Sequence, residues 1–122
     1  MSKPAVQVRQ WTREEYDRLI GTGFFQPGER LELIEGEVVA MPPQGSVHAA
    51  VTGRTERALQ QQFGPNCWVR VQMPLVLGDL SEPEPDLVVV QGTPDDYLDH
   101  HPGTAQTLLV IEVSDTTLDY DR

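Results

Sequence analysis

The sequence predicts an α+β fold in which helices flank a central sheet, mixed or antiparallel, and three observations lead there. The elements run helix, hairpin, helix and then three strand-like segments, rather than alternating strand and helix throughout. Two of the last segments, Leu87–Val90 and Leu108–Val113, are nearly continuous apolar runs, the pattern of strands buried on both faces. These two runs also carry acids at matching ends, Asp86 before the first and Glu112 near the end of the second. At 122 residues the chain has room for one domain, 1–122, built around one core.

Each element has a local reason. Thr12-Arg13-Glu14-Glu15 has the form of a capping box, Tyr16, Leu19 and Ile20 follow at helical spacing, and Gly21 and Gly23 stop the helix. Leu31 to Ile34 and Glu37 to Met41 are short apolar-containing runs around Glu35-Gly36, which predicts a hairpin turning at the glycine and ending at Pro42-Pro43. From Ser46 to Phe63 a stripe of Val47, Ala50, Val51, Ala58 and Leu59 predicts the longest helix, closed by Gly64-Pro65-Asn66. Cys67 to Leu77 alternates, with Cys67, Val69, Val71 and Met73 on one side and Trp68, Arg70 and Gln72 on the other, a strand perturbed at Pro74. A long acidic loop, 92–106, separates the last two strands, and Leu108 to Val113 reads as a central one. Thr116 to Arg122 looks like the polar start of a further helix, so the expected core lacks its last helix and strand and the domain reads as incomplete at its C-terminus.

Composition narrows the classes. The first ten residues lack the apolar core of a signal peptide and no run approaches a membrane span, so a cytoplasmic location and no membrane partner are expected. One cysteine, Cys67, excludes an internal disulfide and a Cys-cluster zinc site, and its alternating surroundings suit a buried structural thiol. The net charge of −10 is unevenly placed: residues 1–70 carry eight basic and eight acidic side chains, whereas residues 71–122 carry Arg122 against eleven acids. Bulk attraction for nucleic acid is therefore absent, and Arg54, Arg57 and Arg70 or a bound metal would have to supply positive charge.

If the last two runs pair as an antiparallel hairpin, Asp86 faces Glu112 and Gln91 faces Thr107, and opposed residues project from the same side of the sheet. Cross-strand neighbours stand roughly 4.5–5.5 Å apart, a span that one hard divalent cation with oxygen ligands bridges. Such an ion polarises a phosphate and lowers the pKa of bound water. The alternative for each acid is a solvated strand end. His100-His101 sits in a loop where adjacent side chains rarely share an ion, so exposure is expected, and Trp11 and Trp68 fit core or rim packing better than base stacking.

Leu31 to Glu37, His48 at the head of the second helix, Pro85-Asp86, and Val110 to Arg122 together resemble the Uma-two family of restriction-endonuclease-like proteins in the PD-(D/E)XK superfamily. The resemblance runs from about residue 11 to the end. It implies a restriction-endonuclease-like α/β core, DNA as substrate, phosphodiester hydrolysis, and Mg2+ or Mn2+ as cofactor. Asp86 and Glu112 carry over as metal ligands, Glu32 as the early acid completing the shell, and His48 as a proton carrier or phosphate contact. Glu37, just past the turn, is the weaker alternative to Glu32, and His48 could equally meet only backbone or solvent. One departure stands out: the superfamily pattern places a Lys two residues after the second acid, and here that residue is Ser114. The resembled family supplies a Lys from the helix that follows Tyr120-Asp121-Arg122, and this sequence has none after Lys3. Two function classes follow, a metal-dependent endonuclease acting on DNA, with a homodimer expected because cutting both strands takes two sites, and a non-catalytic interaction protein retaining the same fold.

Overall fold

The structure is a computed structural model and describes residues 5–114; the expected helix start at Thr116–Arg122 lies outside the described residues. Helix α1 (Arg13–Gly21) begins as its sequence requires: the Thr12 hydroxyl accepts the Glu15 N–H at 3.2 Å and the Glu15 carboxylate accepts the Thr12 N–H at 3.0 Å. Strands β1 (Leu31–Ile34) and β2 (Glu37–Ala40) form the hairpin. Its two-residue turn has positive φ at both Glu35 (48°) and Gly36 (85°), the primed geometry whose twist suits antiparallel strands. Gly36 is also a close approach, since a Cβ there would stand 2.6 Å from the Gln10 Cβ.

Helix α2 (Ser46–Phe63) covers the segment predicted for it and ends at Gly64, with φ of 78°. It lays Leu59 and Phe63 on a core cluster of Val69, Leu87 and Val89. Strands β3 (Cys67–Val71), β4 (Leu87–Gln91) and β5 (Thr107–Ile111) form an antiparallel sheet in that order. β4 is therefore the middle strand, and Leu87 to Val90 are each 1% exposed or less, the two-sided burial that the valine run predicted. On the opposite face Val88 and Val90 pack with Leu75, Trp68 and Tyr97. Among the described residues, two α-helices and two small antiparallel sheets make an α+β fold consistent with a restriction-endonuclease-like core. Every strand pair is antiparallel, so of the two expected sheet types the mixed one is not found among the described residues; the one parallel contact is an isolated bridge from Val76 to Gly103.

Three expectations need correction. β3 stops at Val71 rather than Leu77, because Gln72 turns into positive φ (53°) and Pro74 follows. β5 is the edge strand among the described residues rather than a central one, with Leu108, Leu109 and Val110 between 37% and 46% exposed. The expected register holds at Leu87–Ile111, Val88–Val110 and Val89–Leu109, then slips by one at a bulge, so Thr107 faces Val90 instead of Gln91. The slip falls at the end nearest the long loop, away from the two acids. That loop folds into two short 3-10 turns, and its Tyr97 ring stands 5.9 Å from Trp68.

The hairpin is tied to the segment leading into β4 by a double bridge, with Glu82 N–H to Leu33 O at 2.7 Å and Leu33 N–H to Glu82 O at 3.3 Å. Glu82 itself is buried, and one carboxylate oxygen, Oε1, has no hydrogen-bond partner. Burial first, and Asp17 next, push its carboxyl up to about 8 against the opposing pull of Arg13. An acid raised from 4.5 to about 8 binds its proton more tightly in the folded chain, so stability declines as pH climbs through that window. Glu82→Gln is expected to flatten this decline and to raise the Tm above pH 8; thermal denaturation across the same window checks it, and an unchanged slope would place the titration elsewhere. Leu87→Ala, at the centre of the core, is expected to cost about 2–5 kcal/mol in urea denaturation, far more than Leu108→Ala on the exposed edge.

Candidate active site

β4 and β5 do not fray at their acidic end. One step beyond the Leu87–Ile111 pair, the Asp86 N–H donates to Glu112 Oε1 at 3.1 Å, and the Val113 N–H donates to Asp86 Oδ2 at 2.8 Å. Side-chain oxygens thus take the place of carbonyls and continue the ladder. The expected juxtaposition of Asp86 and Glu112 is present, with each carboxylate held by a backbone N–H of the opposite strand.

Two further contacts hold the Asp86 carboxylate. His48 Nε2 lies 3.2 Å from Oδ2, and the Gln44 amide donates to Oδ1 at 3.1 Å. The His48 ring is buried in the first turn of α2, and its Nδ1 lies 3.5 Å from the Thr52 hydroxyl one turn further on. Burial pushes the Asp86 carboxyl upward, but the Val113 N–H, His48 and Glu112 outweigh it and hold the group below the usual aspartate value. Glu112 moves the other way: partial burial, then the adjacent Asp86 charge, raise it against the lowering effect of the Asp86 N–H. Two neighbouring carboxyls with opposed shifts favour a state in which one is charged and the other takes a proton readily.

Both acids open onto a cavity of about 250 Å³ whose lining includes Arg30, Glu32, His48 and Glu84. Glu32 is half-buried on β1, on the side opposite the buried Leu31 and Leu33, and so joins the site as expected. Glu37 is exposed and outside the lining. Glu84, Arg30 and Gln44 were not singled out by the sequence reading. Glu84 had a usable signal, since it precedes Asp86 by two in Glu82-Pro83-Glu84-Pro85-Asp86, and alternate residues of an extended chain share a side. Burial and then Glu32 raise Glu84, while Arg30 pulls it down. Larger grooves exist, one of about 670 Å³ along α1, whose Arg13 faces Asp17 at 4.0 Å and Glu82 at 3.9 Å.

Other expected residues fall elsewhere. His100 pairs with Asp99 at 2.8 Å while His101 faces Arg70 at 3.5 Å, so the two rings diverge. Arg70 is buried with its guanidinium 4.6 Å from the Trp68 ring centre, which removes it as a phosphate contact. Arg54 and Arg57 are exposed on α2. Trp11 packs under Arg9 at 4.7 Å, and Cys67 is a free, half-buried thiol against the core.

A set of carboxylate oxygens with one imidazole suits a hard divalent cation. Among the described residues no three His, Cys, Asp or Glu side chains already form a cage; Asp86 and Glu112 instead spend oxygens on the strand N–H groups. The donor chemistry fits such an ion. No helix among the described residues is long and apolar enough to cross a membrane.

An α+β core with two acids meeting just beyond the ends of paired antiparallel strands is consistent with a restriction-endonuclease-like protein. The family model Uma2 (Uma-two), described as "Putative restriction endonuclease", matches residues 13–122, and the chain belongs to that family. No curated protein and no solved structure matches the chain.

Since His48 lowers the Asp86 pKa both by charge and by hydrogen bonding, His48→Ala is expected to raise it. Carboxyl-carbon NMR across an acid titration reads this directly; an unmoved Asp86 would mean that the pair is not formed in solution.

Proposed function

We propose that this chain is a divalent-metal-dependent endonuclease that hydrolyses DNA phosphodiester bonds, with Asp86, Glu112 and Glu32 holding Mg2+ or Mn2+. The observation that supports it is the convergence of these three acids, from three different strands or their ends, on one cavity with His48 at its wall. Membership of a family of restriction-endonuclease type makes a nuclease the natural reading of that cavity. The bound ion supplies polarisation of the phosphate and a lowered pKa for the attacking water.

The remaining work belongs to the side chains. Asp86 is kept charged by the Val113 N–H and His48, so it presents an anionic oxygen at neutral pH. His48 is oriented at the site wall between Asp86 and Thr52, where an imidazole can serve as proton carrier to the departing oxygen. Among the described residues, Arg30 is the one arginine or lysine lining the cavity. It offsets Glu84 and is placed to balance the charge of a phosphate. Severing both strands of a duplex takes two such centres, which a homodimer provides.

One observation favours a second reading, a non-catalytic interaction protein on the same fold: Ser114 stands where the superfamily pattern has Lys. Mn2+-dependent nicking of supercoiled plasmid should be abolished in Asp86→Ala and reduced about 100-fold or more in His48→Ala. Nicking that persists in Asp86→Ala belongs to a contaminant, and wild-type protein that nicks nothing supports the interaction reading.

A further inference from the structure

Two residues other than glycine have positive φ among the described residues, and they differ in cause. Glu35, at 48°, sits in a two-residue hairpin turn that demands it. Gln72, at 53°, terminates β3, where a glycine would adopt the same backbone without steric opposition. A long side chain at such a position is strained, and strain of this kind gathers where a side chain has to be aimed.

The direction in which Gln72 is aimed is clear. Its side-chain amide donates to Gln44 Oε1, and the Gln44 amide donates in turn to Asp86 Oδ1 at 3.1 Å. The polarity of this relay is set by its end: a carboxylate only accepts, so Gln44 must turn its NH2 to Asp86 and its oxygen to Gln72. The backbone of the same residue holds Asp86 from behind, with the Gln72 N–H shared between Pro85 O and Asp86 O, both at 3.1 Å. Gln72 therefore grips Asp86 twice, through the main chain directly and through the carboxylate by way of Gln44. Of the two grips, only the second needs a glutamine.

We propose that Gln72 is a positioning residue that, through Gln44, fixes the rotation of the Asp86 carboxylate for the incoming divalent cation. The inference rests on the metal-dependent reading above, and goes beyond it in assigning work to two amides that touch neither metal nor substrate chemistry by charge. Without the relay, Oδ1 loses its one side-chain partner, while Oδ2 keeps His48 and Val113. The carboxylate then rotates about its remaining contacts, and an ion must pay the ordering entropy that Gln72 and Gln44 otherwise cover in advance.

Gln72→Gly separates aim from structure, because it keeps the backbone N–H, relieves the positive φ and deletes the relay. Its Tm in EDTA is expected to equal or exceed that of the wild type, while Mn2+ affinity by calorimetry falls about 10-fold or more. Gln72→Asn, which tolerates the same backbone but is one methylene short of Gln44, should lose affinity likewise. Gln44→Ala should match the loss, and the double variant should lose nothing further, since the two act in series. Wild-type affinity in Gln72→Gly, or a loss of Tm in proportion to the loss of affinity, would overturn the inference while leaving the metal site standing. Wild-type protein that binds no Mn2+ would remove the metal-dependent reading and this inference together.

Discussion

The reciprocal exchange between Asp86 and Glu112 is the constraint on which the site depends. Two strands that end in solvent leave their last N–H groups to water, but here the Asp86 N–H goes to Glu112 and the Val113 N–H to Asp86. The exchange stitches the sheet one residue past its last paired position and brings two negative groups together at the same stroke. Each function limits the other. An oxygen that caps a strand is already oriented, and an oriented carboxylate is what a hard cation requires.

The rest of the fold serves this junction. β4 is immobilised by burial on both faces, α2 presses on one face and delivers His48 at its first turn, and the double bridge at Leu33–Glu82 brings the hairpin, with Glu32, to the same cavity. The result is a concentration of acids that the chain tolerates by distributing counter-effects: N–H donors and His48 on Asp86, Arg30 on Glu84. The upward shifts of Glu84 and Glu112, caused first by burial and then by the neighbouring carboxylates, are the expected mark of a site shaped for a positive ligand rather than for stability alone.

Much of this was legible in the residues. The capping box at Thr12, the Glu35-Gly36 turn and the two-sided valine strand each have a local cause, and each formed where that cause placed it. Pairing Asp86 with Glu112 followed from laying the two apolar runs side by side as an antiparallel pair. What stayed hidden depended on distant parts of the chain. The bulge between Val89 and Val90 answers to the path of the loop, and the early end of β3 to a strained Gln72 that no propensity indicates. Gln44 and Arg30 are ordinary loop residues until the hairpin and α2 bring them to Asp86 and Glu84. The half-exposed β5 shows the same limit, since an apolar run reports the burial a strand is suited to and not the neighbours it has.

Paramagnetic broadening by substoichiometric Mn2+ tests the central claim most directly, because it reads where the ion sits without requiring any reaction. If the acids at the end of β4 and β5 form the metal centre, the amide signals of Asp86, Glu112 and Val113 should vanish first, with Glu32 and His48 close behind and α1 untouched. Broadening centred on the acidic loop around Asp95 and Asp99, or spread evenly over the surface acids, would contradict it.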